Sequence, residues 1–518
     1  MMLTPARLSF AFALLLSGAA VGADVEQWSA FELTLPGPAS GNPFADVTLS
    51  AHLTCGDRSA DVTGFYDGDG TYRIRFMPDV QGNWHYSTKS DAEALNGKTG
   101  EFICTKPSPG NHGPVRVADT YHFTYADGTP FTPFGTTCYA WIHQPQALQD
   151  QTIATLKTAP FNKIRMCLLP TRTRAEDAPQ SLPFARGADG KPDVTRFDPR
   201  FFRNLEERLA QLRDLGIEAD LILFHPYDEG QWGFDRMASA GDDRYVRYVV
   251  ARLASFRNVW WSLANEFDLM EQKTDADWDR LFQIVQHDDP SNHLRSVHHS
   301  QRMYDPSKPW LTHLSVQNGI ACADFGRAVI YRQLVHKPVV FDEVKYEGNS
   351  PKRWGQLSGE ELVLRFWTGT IAGTYVGHGE IFMRDDRQTW LSKGGVLRGE
   401  SPKRIAFLKQ ILSTAPVIDP IDQYYQTHIG GKPGEYYLVY FGNEKPTEWL
   451  FELPRHGLSD GMKFHVDVLD TWNMTITPVE TPFTIRKHSD YTFRAEREQK
   501  IPLPGREYVA LRITRLKP

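Results

Sequence analysis

Residues 198–224 read DPRFFRNLEERLAQLRDLGIEADLILF, and this stretch contains a complete helix pattern followed by a complete strand pattern. Asp198 and Pro199 are typical of a helix N-cap and first helical position, and Gly216 is typical of a helix end. The apolar residues between them recur with helical spacing: Phe201, Phe202, Leu205, Leu209 and Leu212. Residues 217–224 are mostly apolar, which is typical of a strand covered on both faces in a parallel sheet.

The same alternation of apolar strands and amphipathic helices continues from about residue 117 to about residue 415. Candidate strands end near eight positions: Trp141, Leu169, Phe224, Ala264, Ser296, Val316, Phe341 and Phe382. Eight such units predict an α/β fold of the (β/α)8 TIM barrel type rather than an open doubly wound sheet. No glycine-rich GxGxxG loop follows the first strand, so dinucleotide binding is not expected.

β-rich segments flank this region on both sides. Residues 24–116 alternate short strand-like runs with turn residues, and strand-like runs such as YYLVYF at 436–441 return within residues 416–518. We therefore expect an N-terminal β-sandwich (24–116), a catalytic barrel (117–415) and a C-terminal β-sandwich (416–518).

Asp67-Gly68-Asp69-Gly70 in the first of these segments has the composition of a calcium-binding loop. It lacks the downstream Glu that ends an EF-hand loop, and Asp-Gly is a strong hairpin signal. A hairpin turn is the favoured interpretation.

The composition indicates a folded protein with no affinity for polyanions. The chain has 518 residues, of which 41% are hydrophobic and 23% charged, and its formal net charge is −6. Such a charge offers no basic surface for phosphate groups, so a nucleic-acid partner is not expected.

Residues 1–23 are typical of a secretory signal peptide. Arg7 precedes an apolar run at 8–21, and Val21-Gly22-Ala23 is a small-residue cleavage site. No later apolar run approaches the roughly 20 residues of a membrane-spanning helix. We expect export to the periplasm or the medium of a bacterium, without membrane insertion.

Five cysteines are an odd number, so at least one thiol is unpaired: Cys55, Cys104, Cys138, Cys167 and Cys322. Cys55 and Cys104 fall in one β-rich segment, where a disulfide and two buried thiols are both possible.

Two carboxylates follow apolar strands at the end of the barrel where chemistry is expected. Glu266 follows the fourth candidate strand and Glu343 follows the seventh. These strands lie on opposite sides of a barrel mouth, so the two groups can face each other across a sugar. Glycoside hydrolysis requires such a pair, one to protonate the leaving oxygen and one to attack or to activate water.

Two features of the sequence compete with this assignment. Asn443-Glu444 repeats the Asn-Glu dipeptide of residues 265–266, but it lies between Phe441-Gly442 and Lys445-Pro446 and is predicted to be a hairpin turn. Asp342, adjacent to Glu343, is an alternative second carboxylate.

Asn265-Glu266 together with Glu343 resembles the clan of retaining (β/α)8 glycoside hydrolases that contains cellulases and β-mannanases. The three-domain layout is similar to an exported bacterial group with an apiosidase-like catalytic domain. That similarity is carried by FYDGDGTYRIRF at 65–76, GNW at 82–84 and LRGESP at 397–402, and it covers nearly the whole mature chain.

The resemblance implies specific roles. It makes Glu266 the general acid/base and Glu343, rather than Asp342, the nucleophile. It assigns Asn265 to the sugar hydroxyl beside the anomeric carbon, and Arg165 to keeping the nucleophile ionised. The clan often supports its nucleophile with a Tyr from the sixth strand, where this chain has His313, Ser315 and Asn318 instead.

Further strand ends carry aromatic and polar residues suited to a sugar, because rings cover its apolar face and His or Asn binds its hydroxyls. These candidates are Trp141, His143, His225, Tyr227, His298, His299, Glu380 and Trp390. Each of them could instead be a core residue. Glu380 is also an alternative catalytic acid if the pairing of Glu266 with Glu343 is wrong.

Other chemistries lack their motifs. Adjacent His298 and His299 point to opposite faces of a regular strand, so no shared metal ion is expected. Trp141-Ile142-His143 is not the His-x-His pair of metal-dependent barrel hydrolases, and no Gly-x-Ser-x-Gly, HExxH or P-loop sequence occurs. We expect no cofactor.

The leading prediction is a retaining glycosidase that acts on oligo- or polysaccharides, with carboxyl groups about 5–5.5 Å apart. Exo action is a further expectation. The alternative is a non-catalytic carbohydrate-binding protein built on a degenerate barrel. The sequence leaves the sugar, the linkage and the oligomeric state open.

Overall fold

The computed structural model describes residues 24–385, 387–421 and 428–517. The predicted signal peptide, residues 1–23, lies outside the described residues. Within the described ranges, no helix has both the length and the apolar composition needed to cross a bilayer.

A parallel eight-stranded barrel forms the centre of the molecule and confirms the predicted fold class. Its strands are β1 (Gly135–Thr137), β2 (Lys163–Cys167), β3 (Glu218–Phe224), β4 (Val259–Ala264), β5 (Arg295–Ser296), β6 (Leu314–Gln317), β7 (Val339–Glu343) and β8 (Tyr375–His378). The order around the sheet is β5-β4-β3-β2-β1-β8-β7-β6. A parallel bridge between His298 and Ser315 closes the seam between the first and last of these strands.

In the described part of the chain, seven helices of 11 or more residues cover the barrel: α1 (Gln146–Leu156), α2 (Pro199–Asp214), α3 (Ser239–Leu253), α4 (Asp275–Asp288), α5 (Phe325–Val335), α6 (Gly359–Ile371) and α7 (Ser401–Leu412). Helix α2 begins as predicted, because the side chain of Asp198 accepts from the backbone N–H of Arg200. The expectation of eight βα units is wrong at one place. No α-helix lies between β5 and β6, where residues 297–313 form a loop.

Two predicted strand ends also differ from the structure. Trp141 belongs to a short 3-10 helix, Trp141–His143, that follows β1 after a tight turn. β8 ends at His378, and Glu380–Ile381 leaves the barrel to pair with Glu347–Gly348. Glycine at 379 permits this departure, since a Cβ there would lie 2.3 Å from the ring of Tyr346.

A small sheet closes the amino-terminal end of the barrel. Its strands are Val115–Ala118, His122–Tyr125 and Pro130–Phe131. The ring of Phe123 packs 5.2 Å from Trp260 and 5.7 Å from His313 inside the barrel. These apolar side chains plug the amino-terminal opening of the barrel.

The N-terminal domain is a β-sandwich of a five-stranded and a three-stranded sheet. The first sheet contains Asp24–Glu26, Thr99–Thr105, Gly82–Ser90, Leu49–Cys55 and Arg58–Thr63, and the second contains Phe31–Pro36, Thr71–Phe76 and Phe65–Gly68. Phe65–Gly68 and Thr71–Phe76 pair antiparallel across Asp69 and Gly70, both of which have positive φ. This confirms the predicted hairpin turn.

Asp67 of that hairpin joins the N-terminal domain to the barrel. Its buried carboxylate lies 2.7 Å from Arg252 of α3 and 2.8 Å from Arg73 of its own domain. Arg252 also lies 2.7 Å from Glu206 of α2. Asp67 therefore belongs to an ion-pair network between the two domains.

The C-terminal domain is a second antiparallel β-sandwich. Its main strands are Asp419–Pro420, Ile429–Lys432, Tyr436–Tyr440, Glu452–Pro454, Lys463–Asp470, Thr475–Pro478, Phe483–Lys487, Thr492–Ala495 and Val509–Leu516, and Glu448–Leu450 pairs with Lys500–Pro502. Asn443 and Glu444 are exposed at a turn after Tyr436–Tyr440. The turn leads to Glu448–Leu450, which does not pair with the preceding strand, so the predicted hairpin is instead a connection between sheets.

All five cysteines are free thiols in the structure. Burial, together with nearby Cys55, raises the pKa of the Cys104 thiol to about 11.

Candidate active site

Glu343 lies at the carboxyl end of β7, as its last residue rather than just beyond it, and is 4% exposed. Its Oε1 accepts a hydrogen bond from the hydroxyl of Tyr139, which follows β1, and lies 3.3 Å from the amide nitrogen of Asn265. The Nε2 of His298 lies 3.4 Å from the same oxygen. Groups that follow three other strands therefore surround one carboxylate oxygen.

Glu266 follows β4 with φ of 48°, a left-handed conformation that is uncommon for a residue with a side chain. Its Oε2 accepts a 2.9 Å hydrogen bond from the hydroxyl of Tyr227. Burial and the charge of Glu343 raise the pKa of Glu266, and hydrogen bonds from Tyr227 and Gln317 offset part of this rise. The group is therefore biased toward its protonated form.

Gln317, the last residue of β6, joins the two carboxylates. Its Nε2 lies 3.1 Å from Glu266 Oε1 and 3.2 Å from Glu343 Oε2. A primary amide has two N–H bonds, so this one nitrogen can donate to both groups at once.

Burial alone would raise the pKa of Glu343. His298, through hydrogen bonding and charge, and Tyr139, through hydrogen bonding, outweigh this effect and lower the pKa of Glu343 to about 2. The two carboxyl groups are thus driven in opposite directions, which separates an acid from an anion.

Arg165 of β2 acts on this centre through Asn265. Its guanidinium donates a 2.6 Å hydrogen bond to Asn265 Oδ1, so the amide nitrogen must face Glu343. The resemblance assigned Arg165 directly to the nucleophile, whereas the structure places Asn265 between them.

A buried ion-pair network lies beneath the two glutamates. Lys163 lies 2.6 Å from Asp220 and 2.8 Å from Asp342, and Arg165 lies 3.2 Å from Asp220. Asp342 also accepts a 2.6 Å hydrogen bond from Ser315. Despite burial, Lys163 and Arg165 hold the pKa of Asp342 well below its usual range. Because Asp342 is engaged in this network, Glu343 is the one that faces Glu266 across Gln317.

The structure brings two of the predicted sugar-contacting residues, Tyr227 and His298, to the carboxylates. His299 is buried beside them, with its ring 6.1 Å from that of His298, and burial lowers its pKa to about 4.

The structure places four other candidates among core and backbone partners. Trp141 is wholly buried in the main apolar core. His143 and His225 contact the backbone carbonyls of residues 167 and 169, and the indole N–H of Trp390 donates to Thr136. These contacts indicate that the four residues support the structure around the site. His225 supports Tyr227 directly, because their rings stack with centroids 5.2 Å apart.

Glu380 is also buried and is held by backbone. Its oxygens accept from the N–H groups of Arg398 and Gly399 at 2.6 and 2.8 Å. Glu347 accepts from the next two N–H groups, at the start of α7. Such N–H groups at a helix start favour anions, and the LRGESP stretch therefore holds two carboxylates of its own chain.

Glu347, His378 and Glu380 form a group of potential metal ligands within 4.8 Å of one another in the described part of the chain. The N–H bonds just described already engage both carboxylates. Burial raises the pKa of Glu380 to about 7.

Sequence reasoning missed three residues beside the carboxylates: Tyr139, Gln317 and Tyr346, whose side chain helps to lower the pKa of Glu343. Tyr139 lies two positions before Trp141, which was chosen for its aromatic character. Gln317 was predictable from the two-residue period of a strand, because it shares one face of β6 with Ser315. The prediction instead named Asn318, whose side chain lies 3.2 Å from the hydroxyl of Tyr331.

A closed barrel with two facing carboxylates at the carboxyl ends of β4 and β7 defines a protein of the glycoside hydrolase class. The family described as apiosidase-like, catalytic domain, matches residues 118–416. The chain belongs to this family. Two families described as domains of unknown function match residues 24–91 and 425–514.

Solved structures agree with this assignment. A proposed glycoside hydrolase from Bacteroides vulgatus ATCC 8482 is 41% identical, with a TM-score of 0.91 over 95% of this chain and 100% of its own. A glycoside hydrolase family 5 protein from the same organism has a TM-score of 0.58 at 14% identity, over 79% of this chain and 94% of its own, and shares the fold. No curated protein sequence is a significant match to this chain.

Proposed function

We propose that this protein hydrolyses glycosidic bonds in oligo- or polysaccharides with retention of configuration. Glu343 is the nucleophile and Glu266 the general acid/base. The single observation that carries the proposal is the pair of hydrogen bonds from Gln317, which holds the two carboxylates on either side of one amide.

The distances favour retention over inversion. The bonded oxygens of Glu266 and Glu343 can lie no farther apart than the sum of 3.1 and 3.2 Å. Two carboxyl groups that reach one amide nitrogen leave little room between them for the water molecule that inverting enzymes accommodate, and this close approach supports retention.

The opposite pKa shifts support the assigned roles. An ionised Glu343 attacks the anomeric carbon while protonated Glu266 gives its proton to the leaving oxygen. Water activated by Glu266 then hydrolyses the covalent glycosyl-enzyme. Asn265, held by Arg165, has its amide nitrogen available for the hydroxyl next to the anomeric carbon.

The test is sugar release by residues 24–518 from a panel of aryl glycosides, including the apiosides that the family name indicates, and of plant, algal and bacterial oligosaccharides. Glu343→Gln is expected to lose release while keeping its fold. Glu444→Gln, in the second Asn-Glu dipeptide, is the matched control and is expected to retain full activity, because that side chain is exposed at a distant turn.

Product analysis then separates the finer claims. NMR of the first-formed anomer is expected to show retained configuration, and an inverted product would remove Glu343 from the nucleophile role. Release of single sugars from chain ends would support exo action. Saturable binding without any release would favour the alternative, a carbohydrate-binding protein.

A further inference from the structure

A series of side-chain contacts leads from Glu343 down into the barrel. His298 Nε2 lies 3.4 Å from Glu343 Oε1, and His298 Nδ1 lies 2.8 Å from Ser315 Oγ. Ser315 Oγ lies in turn 2.6 Å from Asp342 Oδ2. All four residues are 4% exposed or less, so bulk water does not compete for these contacts.

Asp342, at the lower end of this series of contacts, has a defined protonation state. Asp342 lies 2.8 Å from the ammonium of Lys163 and 3.8 Å from the guanidinium of Arg165, which hold it ionised. A carboxylate can only accept, so the single hydrogen of the Ser315 hydroxyl must point to Asp342. Ser315 must then accept from His298, and Nδ1 of His298 carries a hydrogen.

This tautomer determines what His298 presents to Glu343, at the upper end of the series. In a neutral imidazole with its hydrogen on Nδ1, Nε2 bears a bare lone pair. Nε2 has no hydrogen-bond partner in the described part of the chain, and Glu343 Oε1 lies 3.4 Å away. Two electron-rich acceptors would then face each other in a buried site, which is unfavourable.

We propose that His298 is an imidazolium ion at pH 7 and serves as the counter-ion of Glu343. The proton on Nε2 turns the repulsive contact into an ion pair, while the proton on Nδ1 is bound by Ser315. His298 thereby does for the nucleophile what the resemblance assigned to Arg165. The role as counter-ion of a nucleophile rests on the proposed function, but the protonation state does not.

The charges that surround His298 support this state. Asp220, Asp342 and Glu343 are three buried anions, and Lys163 and Arg165 are two buried cations. Burial lowers the pKa of neighbouring His299 to about 4, so this second imidazole adds no positive charge to the cluster. A third cation at His298 balances these three buried anions, and an uncompensated buried charge is costly.

Neutron diffraction from deuterium-exchanged crystals at pH 7 tests the proposal directly. The wild-type protein is expected to show deuterium on both ring nitrogens of His298. In Glu343→Gln the anion is lost and the new amide can donate to Nε2, so deuterium is expected on Nδ1 alone. A wild-type ring with a bare nitrogen overturns the proposal.

The nitrogen chemical shifts of [15N]histidine-labelled protein give a second, independent measurement. The His298 signals are identified by their loss in His298→Asn, and they are expected to be those of an imidazolium in the wild type and of a neutral ring in Glu343→Gln. Neutral shifts in the wild type reject the imidazolium.

Kinetics test the functional part separately. His298→Asn is expected to move the acidic limb of the kcat/KM profile to higher pH, toward the ordinary Glu pKa, because its positive charge lowers the pKa of Glu343. An unmoved limb rejects the counter-ion role. If the wild type turns over no glycoside, the proposed function fails while the two protonation measurements still decide the state of His298.

Discussion

The guanidinium of Arg165 donates a 2.6 Å hydrogen bond to Oδ1 of Asn265, and it does so from within a buried ion-pair network. This contact determines which way the amide faces, because an arginine cannot accept. The positive charge thus orients a neighbour of the nucleophile instead of pairing with the nucleophile itself.

Arg165→Met is expected to destabilise the protein by about 3–5 kcal/mol, because it leaves buried carboxylates short of a cation. Urea unfolding followed by tryptophan fluorescence measures the change. Arg172→Ala is the control, since both it and its partner Glu229 are largely exposed, and its effect should stay within about 0.5 kcal/mol. Equal stability of Arg165→Met and the wild type would contradict the network.

Gln317→Leu is expected to lower kcat by about 10- to 100-fold, because both carboxylates lose a hydrogen bond in a poorly hydrated site. Gln317→Glu should be worse, since it places a third carboxylate between two others. The measurement is steady-state kinetics on the substrate found in the panel. Asn318→Ala, at the residue just after the strand, is the matched control, and a comparable loss of kcat there would show that the site is merely distorted.

Two tyrosines should act on opposite limbs of the pH profile. The hydrogen bond from Tyr227 lowers the pKa of Glu266, which must be protonated, so Tyr227→Phe raises that pKa and moves the alkaline limb to higher pH. The hydrogen bond from Tyr139 lowers the pKa of Glu343, which must be ionised, so Tyr139→Phe moves the acidic limb to higher pH. Profiles of kcat/KM check both shifts. If both substitutions moved the same limb, the roles of the two glutamates would need to be reassigned.

Asp67→Ala is expected to weaken the docking of the N-terminal domain, because the buried guanidinium of Arg252 loses one of its two carboxylates. Breaking such a pair costs about 3–5 kcal/mol. A lower midpoint of thermal unfolding is the readout. Asp61→Ala removes a carboxylate whose side chain is 85% exposed and should leave the midpoint unchanged. An unchanged midpoint for Asp67→Ala would mean that the ion pairs do not hold the domains together.

Much of the architecture was predictable from local patterns. The cap at Asp198 and the apolar spacing of α2 are properties of a few consecutive residues, and so is the continuous apolar run of β3. The loop that replaces a helix after β5 was not predictable in this way, because it is held by the distant carboxylates of Asp268, Asp275 and Asp279 and not by a periodic apolar face. The candidate carboxylates were found because strand ends converge at one mouth of any such barrel.

By itself, the sequence predicted the barrel and its flanking sandwiches, because periodicity and strand ends are encoded locally. It also gave Glu266 and Glu343 as candidate carboxylates, with Glu343 preferred to Asp342 through the family resemblance. Only the tertiary structure decided what surrounds that pair. Tyr139, Gln317 and His298 come from three different strands, and their contact with Glu343 depends on the closure and register of the barrel. Side chains distant in sequence meet through packing, so the protonation of each glutamate is a property of the folded chain.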